Sequence, residues 1–209
     1  MYIPRHFEER DARRLLELMT RHAFATLVTV GEDGAPFATH LPFLVEQDAS
    51  GALRLLAHMA LPNPQWRAFS AERDVLVIFQ GPHAYVSPTW YATAPQVPTW
   101  NYATVHVYGR PQVIDAGDEV LRILRDTAAR YEAGNERPWT LEQSQEYVDR
   151  LVGGIVAFEL RVTRLEGKFK LSQNKGEADR EAVMAALEHS PFAGDTELAA
   201  LMRAREDAG

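Results

Sequence analysis

The chain has 209 residues, 46% apolar and 24% charged, with a formal net charge of −7; this is the profile of an ordinary folded protein with one sizeable core. It has no cysteine, which excludes disulfides, thiolate catalysis and cysteine-based zinc or iron–sulfur sites. The negative balance offers polyanions no general attraction, so DNA contact would need a local basic patch. The opening MYIPRHFEERDARR has no apolar stretch and no later run has bilayer length, so a cytoplasmic protein with no membrane partner is expected.

Glu8 to His22 carries Leu15, Leu18, Met19 and His22 at the spacing of one helical face. Glu8, Glu9 and Asp11 sit where acidic groups suit a helix dipole. Phe24 to Val30 is β-branched and strand-like, and Gly31 to Gly34 reads as a hairpin turn. Pro36 to Val45 is the next expected strand. Asp48 to Gly51 is a second turn and Ala52 to His58 a third strand, giving an antiparallel meander. In His58 to Trp66, Asn63 suits an N-cap and Pro64 a first helical position, so a short helix should run to about Phe69.

The stretch from Asp74 to Arg110 organises the rest. Val75 to Phe79 is a short continuous apolar run, as a fully buried strand requires. Thr104 to Tyr108 alternates like a half-buried strand. Between them lie Tyr85, Trp90, Tyr91, Trp100 and Tyr102, punctuated by Pro82, Pro88, Pro95 and Pro98. Long loops are functional or disordered, and disordered ones are poor in aromatics, so this reads as an ordered loop shaping a pocket or a subunit contact. Asp118 to Tyr131 is then helical, and Thr140 to Gln143 has the capping-box pattern for a helix through Leu151. Gly154 to Thr163 returns to period two. Glu177 to Glu188 is a helix with Val183, Met184 and Leu187 as its buried stripe, and Asp195 to Arg205 is a terminal helix. About six strands with peripheral helices make an α+β fold built on a mostly antiparallel barrel.

His40, His58, His83 and His106 fall on or beside strands without metal-ligand spacing, and read as core or pocket histidines; no metal is expected. No nucleophile elbow, G-x-G-x-x-G or Walker A loop is present, and no catalytic residue emerges from spacing. Gly167-Lys168 lacks the upstream glycine and following hydroxyl of a phosphate loop. Arg161 to Lys175 holds Arg161, Arg164, Lys168, Lys170 and Lys175 against Glu166 alone, five cations less one anion, or +4. That stretch is either a solvated strand end with a loop, or a site for a phosphate or other anion. Gln173 and Asn174 could add amide hydrogen bonds.

Six stretches carry more than periodicity: MYIPRHF, ATHLPF, HMALPNPQW, VLVIFQGPHAYVSPTWY, VPTWNYATVHVYGR and GKFKLSQNK. Together, from Met1 to about Glu188, they resemble the PaiB family, described as FMN-binding negative transcriptional regulators. The resemblance implies an FMN-binding split β-barrel over residues 1–188, like that of pyridoxamine phosphate oxidases and flavin reductases, followed by a helical tail over 189–209. It implies a homodimer with FMN in a groove between barrels. Thr39, His40, Ala57, His58, Asn63 and Gln65 would lie near the phosphate and ribityl chain. Gln80, Trp100, Asn101 and Tyr102 would lie near the ring. Relatives supply Arg or Lys from these strands, whereas FATHLPF supplies none, so the positive charge is expected from Lys168, Lys170 or Lys175, with Gln173 and Asn174 beside them. The implied role is regulation through DNA or a regulatory protein partner. The alternatives are an FMN-dependent oxidoreductase and, behind it, a haem-binding protein.

Overall fold

A computed structural model gives the structure and describes residues 1–31, 33–48 and 50–206. Glu32 and Ala49, in the two expected turns, and the last three residues of the tail lie outside the described residues. Among the described residues eight strands are formed: β1 (Glu8–Glu9), β2 (Phe24–Val30), β3 (Pro36–Pro42), β4 (Leu44–Gln47), β5 (Leu53–Ala60), β6 (Val75–Val86), β7 (Thr99–Val113) and β8 (Ile155–Lys170). Their order is β3-β2-β6-β7-β8-β5-β4, with β1 paired to β8, and the β1–β8, β2–β3, β2–β6, β4–β5 and β5–β8 pairs are antiparallel. The helices are α1 (Ala12–Arg21), α2 (Gly117–Glu132), α3 (Gln145–Leu151), α4 (Glu177–Glu188) and α5 (Ala193–Glu206). Among the described residues, no helix is long and apolar enough to cross a membrane.

The chain divides into two compact units. The first comprises Met1–Leu18, Gln80–Val105 and the chain from Glu166 onward; the second comprises Met19–Phe79 and His106–Leu165.

In the second unit β2 and β3 form a hairpin, as do β4 and β5. The expected meander is interrupted at Phe43, so β3 and the β4–β5 hairpin take opposite ends of the strand order. The reason is the Phe43 side chain, 1% exposed, with ring centroids 6.0 Å from Phe79 and 6.2 Å from Phe158. Burying that ring turns the strand, and the Phe43 amide donates back to the Ala23 carbonyl at 2.9 Å. The two ends of the order then meet where β3 touches β5. Leu27, Leu55, Leu56, Val77, Val107 and Leu160 are fully buried here. Ile114 and Val120 pack against Leu44, Leu56, Ile123 and Ala157, which seats α2.

In the first unit α4 packs on α5, and Val183, Met184, Leu187, Leu198 and Ala199 have no exposed surface. Gly167 has its explanation here: a Cβ would enter the Leu15 side chain and stand 2.9 Å from the Glu9 carbonyl oxygen, so the β1–β8 contact needs glycine.

Several elements differ from expectation. α1 starts at Ala12 because Asp11 caps it, accepting from the amides of Arg13 at 2.9 Å and Arg14 at 3.3 Å, while Glu8 and Glu9 pair with β8. Thr140 makes no side-chain cap bond, and a 3-10 turn (Leu141–Ser144) precedes α3. The long aromatic loop shrinks to 87–98, because β6 continues through Gly81-Pro82 to Val86 and β7 begins at Thr99. Both Gly81 and Pro82 are buried in that strand.

Candidate functional site

The residues expected at the site fall in both units. In the second unit, β3, β5 and the 3-10 turn Pro64–Ala68 carry Thr39, His40, Ala57, His58, Asn63 and Gln65. Asn63 caps that turn by accepting the Gln65 amide at 3.0 Å, as its position before Pro64 favours. Its side-chain nitrogen donates to Thr39 Oγ1 at 3.0 Å. Gln65 is 2% exposed, and its Nε2 donates to the carbonyls of Leu27 and Phe37, both at 3.1 Å. The Gln65 amide nitrogen thus clamps the β2–β3 hairpin, while its buried Oε1 has no protein partner. His40 is exposed, with Nδ1 3.0 Å from Thr26 Oγ1. Ala57 is buried opposite Phe158 and can offer a ligand only backbone. Burial pushes the His58 imidazole below its ordinary pKa, so it favours the neutral form.

In the first unit, Lys168 and Lys170 alternate along β8 with buried Gly167, Phe169 and Leu171, which turns both ammonium groups to one face. Lys168 Nζ donates to the Tyr2 carbonyl at 3.1 Å and stands 5.6 Å from the Tyr2 ring centroid and 5.3 Å from that of Tyr102. Lys170 Nζ donates to Thr99 Oγ1 and the Trp100 carbonyl and lies 5.8 Å from the Phe7 ring. Lys175 Nζ donates to Gln96 Oε1 at 2.6 Å and lies 5.0 Å from the Tyr91 ring. Burial first, and then the charges of Lys168 and Lys175, push the Lys170 ammonium below its ordinary pKa. Three cations therefore share one neighbourhood, and none of them makes an ion pair among the described residues.

Aromatic rings flank these lysines. Trp100, 54% exposed, has its ring centroid 6.1 Å from that of Tyr85 and 6.3 Å from His83. Asn101 points the other way: it is fully buried, its Nδ2 donates to Ser172 Oγ at 2.9 Å, and its Oδ1 has no protein partner. Gln173 spends its amide within its own turn, accepting from the Leu171 amide at 2.7 Å and donating to the Phe169 carbonyl. Gln80 and Asn174 are exposed. Tyr2, Phe7, Thr99 and Gln96 join the lysines without having been foreseen. Thr99, the first residue of β7, has the parity of Asn101 rather than of Tyr102, so the alternation of the strand could not have placed it beside Trp100 and Tyr102.

Residues 1–164 match the family model described as "Putative FMN-binding domain", and the chain is 37% identical over 203 residues to "Protease synthase and sporulation protein PAI 2" of Bacillus subtilis, covering 97% of this chain and 96% of that one. The chain belongs to the PaiB family of FMN-binding proteins. Among solved structures it is similar to the conserved hypothetical protein Rv2991 of Mycobacterium tuberculosis, with TM-score 0.60 and 13% identity over 85% of this chain and 95% of that one. It is also similar to a FAD and haem binding protein of Mycobacterium smegmatis, with TM-score 0.58 and 20% identity over 85% and 79%. These likenesses concern the fold, which is a split β-barrel with peripheral helices.

FMN is the cofactor this PaiB-family chain takes. It joins a flat ring to a phosphate, and the first unit offers what each part needs: exposed aromatic faces for the ring and, for the phosphate, three ammonium groups that make no direct ion pair among the described residues. The donor set fits. In the second unit the expected contacts contain no Lys or Arg, and the amides of Asn63 and Gln65 already bind protein.

Proposed function

We propose that this PaiB-family chain is a homodimeric, FMN-binding negative regulator of transcription, with the flavin phosphate held by Lys168, Lys170 and Lys175. The observation that carries the phosphate assignment is the unpaired lysine group. Three like charges beside one another are costly when no carboxylate pairs with them directly, and a dianion relieves that cost. Trp100 and Tyr102, on neighbouring turns of the β7 pleat, supply the aromatic surface for the ring. Bound FMN would bring hydride and one-electron chemistry; the side chains named here bind and orient it.

The homodimer has its own support in the second unit. Phe24, Thr26, Val28 and Val30 lie on one face of β2, opposite Pro42, His40, Ala38 and Pro36 of β3, with Ile78 and Leu76 of β6 beside Thr26 and Val28. Phe24 is 68% exposed and Val30 56%. A contiguous apolar sheet face of this kind suits an interface. The name of the Bacillus relative, a protease synthase and sporulation protein, supports a regulatory role over a metabolic one.

The test compares FMN with riboflavin, which lacks the phosphate, by fluorescence titration. Wild-type protein should prefer FMN by at least about tenfold, and Lys170→Met should erase most of that preference. Equal affinity of the wild type for both flavins overturns the phosphate assignment. Gel-shift titration across salt tests the regulatory part: salt-sensitive binding to operator DNA supports direct action, and its absence assigns the regulation to a protein partner.

A further inference from the structure

Asp179 is 5% exposed in the first turn of α4, yet among the described residues it makes no direct ion pair. Its carboxylate faces the loop between β6 and β7 instead. Oδ1 accepts from the Thr93 amide at 2.9 Å; Oδ2 accepts from Thr93 Oγ1 at 2.8 Å and from Gln96 Nε2 at 3.3 Å. Gln96 Nε2 also donates to Thr93 Oγ1 at 3.0 Å. A side-chain amide has a donor end and an acceptor end. With the donor end fixed by Asp179 and Thr93, the acceptor end is turned to Lys175, which it meets at 2.6 Å. Below, Arg180 holds the Lys175 carbonyl at 2.8 Å.

The arrangement has a particular electrostatic result. A carboxylate in direct contact with Lys175 would neutralise it. An amide between the two orders the ammonium and uses one of its three N–H donors; the two charges still attract at a distance, but two donors stay open to a ligand.

We infer that Asp179 is a positioning residue for the anion site: through Gln96 it fixes Lys175 in the orientation that receives the flavin phosphate. This rests on the assignment of the lysines to that phosphate. It also gives the 87–98 loop a function, since the loop carries the amide that transmits the effect.

The experiment is parallel titration of FMN and riboflavin into full-length wild type, Asp179→Asn, Gln96→Ala, Lys175→Met and the double variant Asp179→Asn/Lys175→Met. Gln96→Ala changes a partly exposed loop side chain, so it tests the relay without disturbing α4. Asp179→Asn and Gln96→Ala should each weaken FMN about three- to tenfold, the scale of ordering one long side chain, and leave riboflavin unchanged. In the double variant, Asp179→Asn should add nothing to Lys175→Met. The inference is overturned if Lys175→Met lowers the FMN preference while Asp179→Asn and Gln96→Ala leave it at the wild-type value, in which case the phosphate assignment stands. Equal weakening of both flavins by Asp179→Asn also overturns it, because that is the signature of a structural residue. If Lys170→Met and Lys175→Met both leave the preference unchanged, the phosphate assignment falls and the positioning role with it.

Discussion

Arg205 and Glu9, 196 positions apart, are joined by an ion pair of 2.7 Å. Glu9 is 6% exposed, and Arg14 donates to the same oxygen, Oε2, at 3.3 Å. The other carboxylate oxygen accepts from the amides of Arg10 and Asp11. One buried carboxylate thus ties the start of α1 to the end of α5. Glu9→Gln should lower stability by about 1–3 kcal/mol, the scale for removing one partner of a half-buried charged network. Arg205→Ala should cost less, since Arg14 remains. Thermal melting checks both, and an unchanged melting point for Glu9→Gln would refute the tie.

Gln65 should behave as a structural residue despite its place in a motif read as flavin-binding. Gln65→Leu removes the donor that serves two backbone carbonyls and should destabilise the protein by about 1–3 kcal/mol. Urea unfolding measures this directly. If stability is unchanged and only FMN affinity falls, the clamp is not what holds the β2–β3 hairpin.

Lys170→Ala should weaken FMN binding by about 1.5–3 kcal/mol, the value of a hydrogen bond to a charged group. Because burial and its neighbours lower the Lys170 pKa, the ammonium is lost at a pH below the ordinary lysine value of 10.5. The FMN-over-riboflavin preference should therefore decline with rising pH before ordinary lysines titrate. A preference that holds level through that range would count against Lys170.

His58 gives a pH dependence of stability with the same leading cause, burial. Its folded pKa lies below the ordinary 6.5 because of burial. Between the folded and unfolded values the unfolded chain binds the extra proton, so stability rises with pH across that window. Stability is lost as pH falls below about 6.5, and the loss is complete once the folded pKa is passed. His58→Gln should flatten that acid limb in urea titrations at a series of pH values, and an unaltered limb would assign it to other groups.

Phe24→Asp places a charge on the exposed β2 face. It should convert the proposed homodimer to monomer in sedimentation equilibrium while leaving the far-ultraviolet circular dichroism intact, since Phe24 is solvent-exposed in the isolated chain and burying an unpaired carboxylate in an interface is unfavourable. A dimer of unchanged strength would place the contact on another surface.

The local elements were legible wherever one periodicity dominated. β2 and α4 begin and end where the pattern placed them, because Phe24 to Val30 alternates cleanly and Glu177 to Glu188 carries a single apolar stripe. Strand lengths were harder. Gly81-Pro82 has the composition of a breaker, yet the backbone carries it through β6. The basic end of β8 looked like a loop because Lys168 and Lys170 outweighed the buried Phe169 between them and the buried Leu171 that follows. At the site, residue types were readable and orientations were not. Gln65 and Gln173 have the donors a ligand would want, but their amides are taken by backbone groups that no spacing rule identifies. The relay from Asp179 to Lys175 was hidden for a similar reason: it passes through Gln96, more than eighty positions from Asp179 in the chain.

The first unit is assembled from three separate stretches of chain and the second from two. No single cut can therefore release either as an expression fragment, and a nascent chain emerging from the ribosome cannot close the first unit until the segment after Glu166 has been synthesised. Truncations designed to isolate the lysine face would remove partners of β6 and β7 instead, which makes point substitutions in the intact chain the sound way to dissect it.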